Sequence, residues 1–153
     1  MTDVEGKASD ERDAEQATLS RSRLIVGALV GGVLILTALS GWMPRADGLQ
    51  GAVVPAAVIG AASPAIAYRL YQLLRERLTP GATASRRRET FLRANVLAFA
   101  ITEGAALFGV IVYALTGAPL ALIGVVMHVL LAGALWPSEE KLAGFTHDAA
   151  RGD

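Results

Sequence analysis

One carboxylate and one imidazole in this chain fall where the surrounding sequence offers them no water. Glu103 lies within the otherwise apolar stretch 91–115, and His128 within 119–136. A carboxylate in hydrocarbon costs on the order of a few kcal/mol, so Glu103 is expected to face protein or water and is the first candidate for holding a proton. His128 is the second, because an imidazole exchanges protons near neutral pH. Ala100 and Ala106 lie at i−3 and i+3 of Glu103, a narrow patch for close helix approach, flanked by bulky Phe99 and Leu107. Ala121, Gly124 and Ala132 share the face of His128. Folding two helices about Thr116-Gly117-Ala118-Pro119 brings Glu103 and His128 within roughly 6 Å of one depth, at ~1.5 Å per residue. The spacing predicts a Glu103–His128 hydrogen bond or ion pair, with Thr102 and Asn95 as further partners. Such a pair either fixes helix register as polar glue or forms a site that carries or senses a proton.

Other chemistry is sparse. Two histidines far apart and no cysteine argue against a metal site. No Ser/His/Asp set and no phosphate-binding loop occurs, so neither catalytic residues nor a cofactor are expected. Ser138-x-x-Lys141 imitates a penicillin-binding motif without the rest of that constellation, and the terminal Arg151-Gly152-Asp153 reads as chance.

The elements that position Glu103 and His128 follow from composition. Of 153 residues, 53% are hydrophobic and 18% charged, with fourteen Lys+Arg balancing fourteen Asp+Glu. Residues 24–44, 48–68 and 104–138 carry no charged side chain, more continuous apolar sequence than one soluble core can hide. A nucleic-acid binder, a disulfide scaffold, a thiol enzyme and a disordered chain are excluded. Spanning a bilayer takes about 20 apolar helical residues. Four segments qualify, about 24–43, 51–71, 91–115 and 119–136, which predicts an all-α, four-helix transmembrane bundle. Arg69, Arg75, Arg77, Arg86, Arg87, Arg88 and Arg93 cluster between spans two and three, and Arg21 and Arg23 precede span one. The opposite side has only Arg45. Positive charge marks the cytoplasmic side, so both termini and the Arg-rich loop 75–93 are expected inside a bacterial inner membrane. Trp42 and Tyr113 outside, with Tyr68, Tyr71, Phe91 and Trp136 inside, fit an interfacial aromatic belt. A cleaved signal peptide is the rival for span one, with Ala38-Leu39-Ser40 as a loose cleavage site. The long apolar run and the acidic leader favour an uncleaved anchor.

Residues 1–20 set Asp3, Glu5, Asp10, Glu11, Asp13 and Glu15 against Lys7 and Arg12, and read as a disordered acidic tail. Residues 78–90 read as a polar loop turning at Pro80-Gly81. Residues 137–153 form a short tail in which Ser138 caps an interfacial helix with Leu142 and Phe145 toward lipid. Gly27-x-x-x-Gly31, followed by Gly32, fits small-residue packing, within the bundle in preference to dimerisation. Pro55 and Pro64 predict kinks in span two, with Ser63 or a neighbouring helix placed to satisfy the freed carbonyls. Arg86-Arg87-Arg88 suits anionic headgroups or simply carries the topology signal.

Several of these residues form a longer pattern. Arg93-x-Asn95, Ala100-Ile101-Thr102-Glu103-Gly104-Ala105-Ala106-Leu107-Phe108-Gly109, Leu115-Thr116-Gly117 and Trp136-Pro137-Ser138-Glu139-Glu140-Lys141 together resemble a family of small uncharacterised bacterial multi-span membrane proteins. That resemblance covers about a third of the chain and implies topology but no activity. The helix around Glu103 is also similar to the carboxylate helix of the ATP synthase rotor c subunit, through Ala100, Glu103 and Phe108-Gly109. By that resemblance Glu103 alone would inherit an ion-binding role. The chain departs from the rotor pattern in lacking a repeated Gly-x-Gly stripe and in its two additional spans.

The sequence thus leads to a non-enzymatic structural or accessory membrane protein, partnered by the bilayer and by another membrane protein or a second copy, with no nucleic acid. The alternative is a proton- or ion-handling module using Glu103 with His128.

Overall fold

A computed structural model describes residues 2–46, 48–78 and 81–147, all of whose regular structure is helical. Five α-helices follow one another: α1 (Thr2–Ser40), α2 (Val53–Glu76), α3 (Ala84–Thr116), α4 (Ile123–Ala134) and α5 (Glu139–His147). Short 3-10 turns lead into α2 at Gln50–Ala52 and into α4 at Pro119–Leu122. Three helices are long and apolar enough to cross a membrane. The run Pro119–Ala134 passes as a fourth only together with α5, from which it is bent by 78°. The arrangement is compatible with a membrane protein.

The α2–α3 pair forms the middle of the bundle, with α1 against α3 and α4 seated across both α2 and α3. What lets α4 sit so close is the absence of side chains. A β-carbon added at Gly60 of α2 would lie 2.6 Å from Gly124 Cα, and one at Gly124 would lie 3.0 Å from the Ala105 carbonyl oxygen. Gly109 meets the Ala121 carbonyl in the same way. The close packing predicted for Gly27 and Gly31 is therefore found elsewhere. Among the described residues a β-carbon at Gly27, Gly31 or Gly32 meets nothing within 4 Å. The reason is geometric: α1 rests on the bundle along Leu19, Ser22, Val26, Val33 and Ser40, and Gly27 and Gly31 point away from that stripe.

The acidic leader does not form a disordered tail but continues the helix of span one, so that α1 runs 39 residues without a break. Ala, Glu, Gln and Arg are good helix formers, and acids near a helix N-terminus complement its dipole. Leu19, 4% exposed, anchors the extension in the core cluster that also holds Leu142 and Phe145.

That cluster corrects a second expectation. Leu142 and Phe145 do not face lipid; they are 4% and 1% exposed and close the arginine-rich end of the bundle. Phe145 packs edge-on against Tyr71 (5.5 Å) and Phe91 (5.4 Å). The elbow at Trp136-Pro137 folds α5 back under the bundle, and Arg23 Nε donates to the Pro137 carbonyl at 3.0 Å. Ser138 accepts from the Lys141 amide at 3.3 Å and so caps α5.

Helix boundaries move as well. Thr83 caps α3 by accepting from the Arg86 amide at 3.3 Å, so Arg86, Arg87 and Arg88 occupy the first turns of a helix rather than a loop. Pro55 lies in the first turn of α2, where a missing N–H removes no intrahelical bond. Pro64 lies inside α2, and the Ser63 hydroxyl donates to the Gly60 carbonyl it frees, at 3.0 Å. At the opposite end α3 stops at Gly117, whose φ of +71° only glycine adopts without strain, with the Arg45 side chain packed against it. Pro80 and Arg151-Gly152-Asp153 lie outside the described residues.

Candidate functional site

Thr102 and Glu103 are neighbours on α3, so their side chains leave the helix about 100° apart. That rotation decides what each can touch. Thr102 belongs to the fully buried stripe of Ala98, Phe99, Ala105 and Ala106, onto which α4 packs. Gly124 sets the depth by meeting Ala105 and Ala106, which carries His128, one helical turn further along, to the level of Thr102. The Thr102 Oγ1–His128 Nδ1 distance is 2.8 Å. Glu103 looks out of the adjoining face, half-buried, and makes no bond to His128. The predicted Glu103–His128 pair is thus replaced by a Thr102–His128 pair.

His128 is fully buried, with the Phe99 ring edge-on at 6.1 Å between centroids. Thr102 Oγ1 is also 3.2 Å from the Phe99 carbonyl and 3.3 Å from that of Ala98. One hydroxyl proton serves all three contacts. Either it stays on a carbonyl while Nδ1–H donates to Oγ1, or it goes to Nδ1 and the imidazole proton sits on Nε2. Among the described residues His128 Nε2 and Asn95 Oδ1 have no partner, and the Asn95 amide donates to the Phe91 carbonyl at 2.9 Å. Asn95, predicted as a partner of the pair, lies about two turns from Thr102 and does not join it. The buried polar set links α3 to α4 and contains no carboxylate.

Glu103 occupies the side of α3 turned toward α1. Leu107, Val110, Ile111 and Ala114 continue that face and line a cleft of about 360 Å³ with Leu36, Leu39, Ser40 and Met43 of α1. The two helices run parallel: Val33 packs with Ala106, and Met43 shares the cleft with Leu115. Carrying that register back one turn sets Glu103 level with Val30 and Gly31. Among the described residues no hydrogen bond or ion pair reaches the Glu103 carboxylate. Of the three long apolar helices, α1 is also the least covered. Within its most apolar window 17% is buried, against 33% for α2 and 44% for α3. An ionisable group without a partner therefore stands beside the most open helix.

Gly27 is exposed and Gly31 half-buried on α1, and a β-carbon at either meets no described residue within 4 Å. Arg86 is exposed, while Arg87 and Arg88 are half-buried at the start of α3. Glu89 takes up Arg93 at 2.6 Å, an i,i+4 pair on the helix surface. Among the described residues no three of His, Cys, Asp and Glu gather as metal ligands would. Sequence reasoning underrated Gly60, Gly109 and Gly124. Each is a small residue in a long apolar segment, but unlike Gly27 and Gly31 they form no short motif. No protein-family model matches the chain, and neither a characterised protein nor a solved structure is significantly similar to it.

Proposed function

We propose that this chain is a membrane-embedded accessory protein without chemistry of its own, which docks another membrane protein against α1 and the Glu103 side of α3. The reading includes the bacterial inner membrane, with both termini and the arginine-rich end in the cytoplasm. The single observation that carries it is the Glu103 carboxylate, half-buried at mid-span with no partner among the described residues. Unsatisfied ionisable groups in hydrocarbon are costly, and a hydrogen-bond donor on a neighbouring helix would remove that cost. Gly27 and Gly31, open on α1, would let such a helix approach closely. The experiment is isolation of the tagged protein in mild detergent. A membrane protein should co-purify in fixed ratio and be lost on Glu103→Leu. Monodisperse single chains from both wild type and variant would overturn the proposal, and a homodimer would replace the foreign partner by a second copy.

The same carboxylate supports a second reading, a proton- or ion-handling module, in line with the resemblance to the rotor carboxylate helix. Its distinguishing observation is carbodiimide labelling of Glu103 at neutral pH, which requires a protonated, accessible carboxyl. His128 is not part of this reading, because it is engaged with Thr102 on the adjoining face of α3.

A further inference from the structure

Where α2 meets the elbow between α4 and α5, a groove of about 380 Å³ opens at the arginine-rich end of the bundle. Tyr68, Gln72 and Arg75, at i, i+4 and i+7, line it from one face of α2, and Lys141 lines it from α5. The Lys141 ammonium donates to the Ala134 carbonyl at 2.6 Å and to that of Trp136 at 3.1 Å, closing the end of α4. An ammonium has three protons, so one remains for a ligand. The Tyr68 hydroxyl accepts from Gln72 Nε2 at 2.7 Å, which leaves its own proton to donate. Arg75 reaches over Gly144, where a β-carbon would come within 3.7 Å of Nη2. Against these two cations the groove sets a single carboxylate, the exposed Glu140, so its balance is positive.

The apolar continuation of the groove is equally specific. Ala134 belongs to its wall, and Leu130 and Val126, one and two turns back along α4, are 61% and 57% exposed on the same face. A cationic, hydroxyl-bearing pocket at the end of a hydrophobic track matches a molecule with a phosphate head and hydrocarbon chains. We propose that this groove binds the phosphate of an anionic phospholipid between Arg75, Lys141 and the Tyr68 hydroxyl, with an acyl chain along Leu130 and Val126. The assignment rests on the chain being membrane-embedded and is independent of docking at Glu103.

The test uses the full chain in nanodiscs of phosphatidylglycerol and phosphatidylcholine, with the lipid retained after transfer to detergent quantified by mass spectrometry. Wild type should retain phosphatidylglycerol several-fold over phosphatidylcholine. Arg75→Gln combined with Lys141→Gln should abolish the preference, while Arg77→Gln, an exposed cation at the same end of α2, should leave it intact. Tyr68→Phe keeps the ring and removes the donor; it should lower the preference without altering the helical circular dichroism. If the double variant fails to fold, Tyr68→Phe decides alone, and undiminished retention in it overturns the site. Equal retention of both lipids by wild type also overturns it. Inorganic phosphate is the soluble probe. Saturable phosphate binding without phosphatidylglycerol retention would transfer the groove to a free phosphate ligand and overturn the lipid assignment.

Discussion

His128 Nδ1 and Thr102 Oγ1 stand 2.8 Å apart in the centre of the bundle and form the one side-chain hydrogen bond joining α3 to α4 among the described residues. Replacing Thr102 by Val keeps the shape and removes the partner, leaving a buried imidazole nitrogen unsatisfied. Thr102→Val should lower unfolding stability by about 1 kcal/mol, and Thr102→Ser by less, because the hydroxyl survives. Unfolding in mixed detergent micelles, followed by circular dichroism, measures both.

The glycines divide into two classes with opposite responses. A β-carbon at Gly60 would collide with the Gly124 backbone at 2.6 Å, so Gly60→Ala should push α2 off α4 and cost about 1–3 kcal/mol. Gly27→Ala meets open space and gains helix propensity, so the isolated chain should be unchanged or stabilised by up to about 1 kcal/mol. Thermal unfolding of the two variants side by side checks the contrast.

Ser63 and Pro64 form a compensating pair around the Gly60 carbonyl. Ser63→Ala should cost about 0.5–1.5 kcal/mol where Pro64 leaves that carbonyl without its backbone donor. In a Pro64→Ala background the backbone N–H returns, and the same change should cost clearly less. A double-mutant cycle with no coupling energy would refute the compensation.

Glu103 should show opposite signs in isolation and in complex. Glu103→Leu removes an unpartnered ionisable group from the middle of α3, so the single chain in detergent should gain stability, by about 1 kcal/mol. Retention of the co-purifying partner should fall in the same variant. Gain without loss would leave no role for the carboxylate in docking.

The apolar runs marked the helices, because continuous hydrocarbon over 24–44, 48–68 and 104–138 has few other uses. Ser63 was legible beside Pro64 because the rescue is local, within one helical turn. The pairing of His128 was not. Thr102 and Glu103 differ by one position, and only the crossing of α4, set by Gly124 on Ala105 and Ala106, chooses between them. Leu142 and Phe145 form an apolar face that suits lipid and protein core equally, so the fold-back of α5 left no mark in periodicity. The acidic leader misled for a related reason: a helix with few apolar residues shows no stripe, although Leu19 and Ser22 continue the one on α1.

The uninterrupted course of α1 gives the chain a mast. At ~1.5 Å per residue its 39 residues measure roughly 58 Å, about twice a hydrocarbon core of ~30 Å. Neither glycine nor proline occurs between Lys7 and Val26, so the shaft has no joint at which to swivel. Anything that grips its acidic tip therefore does so at a fixed height and compass bearing. The same shaft holds Val30 level with Glu103 of α3.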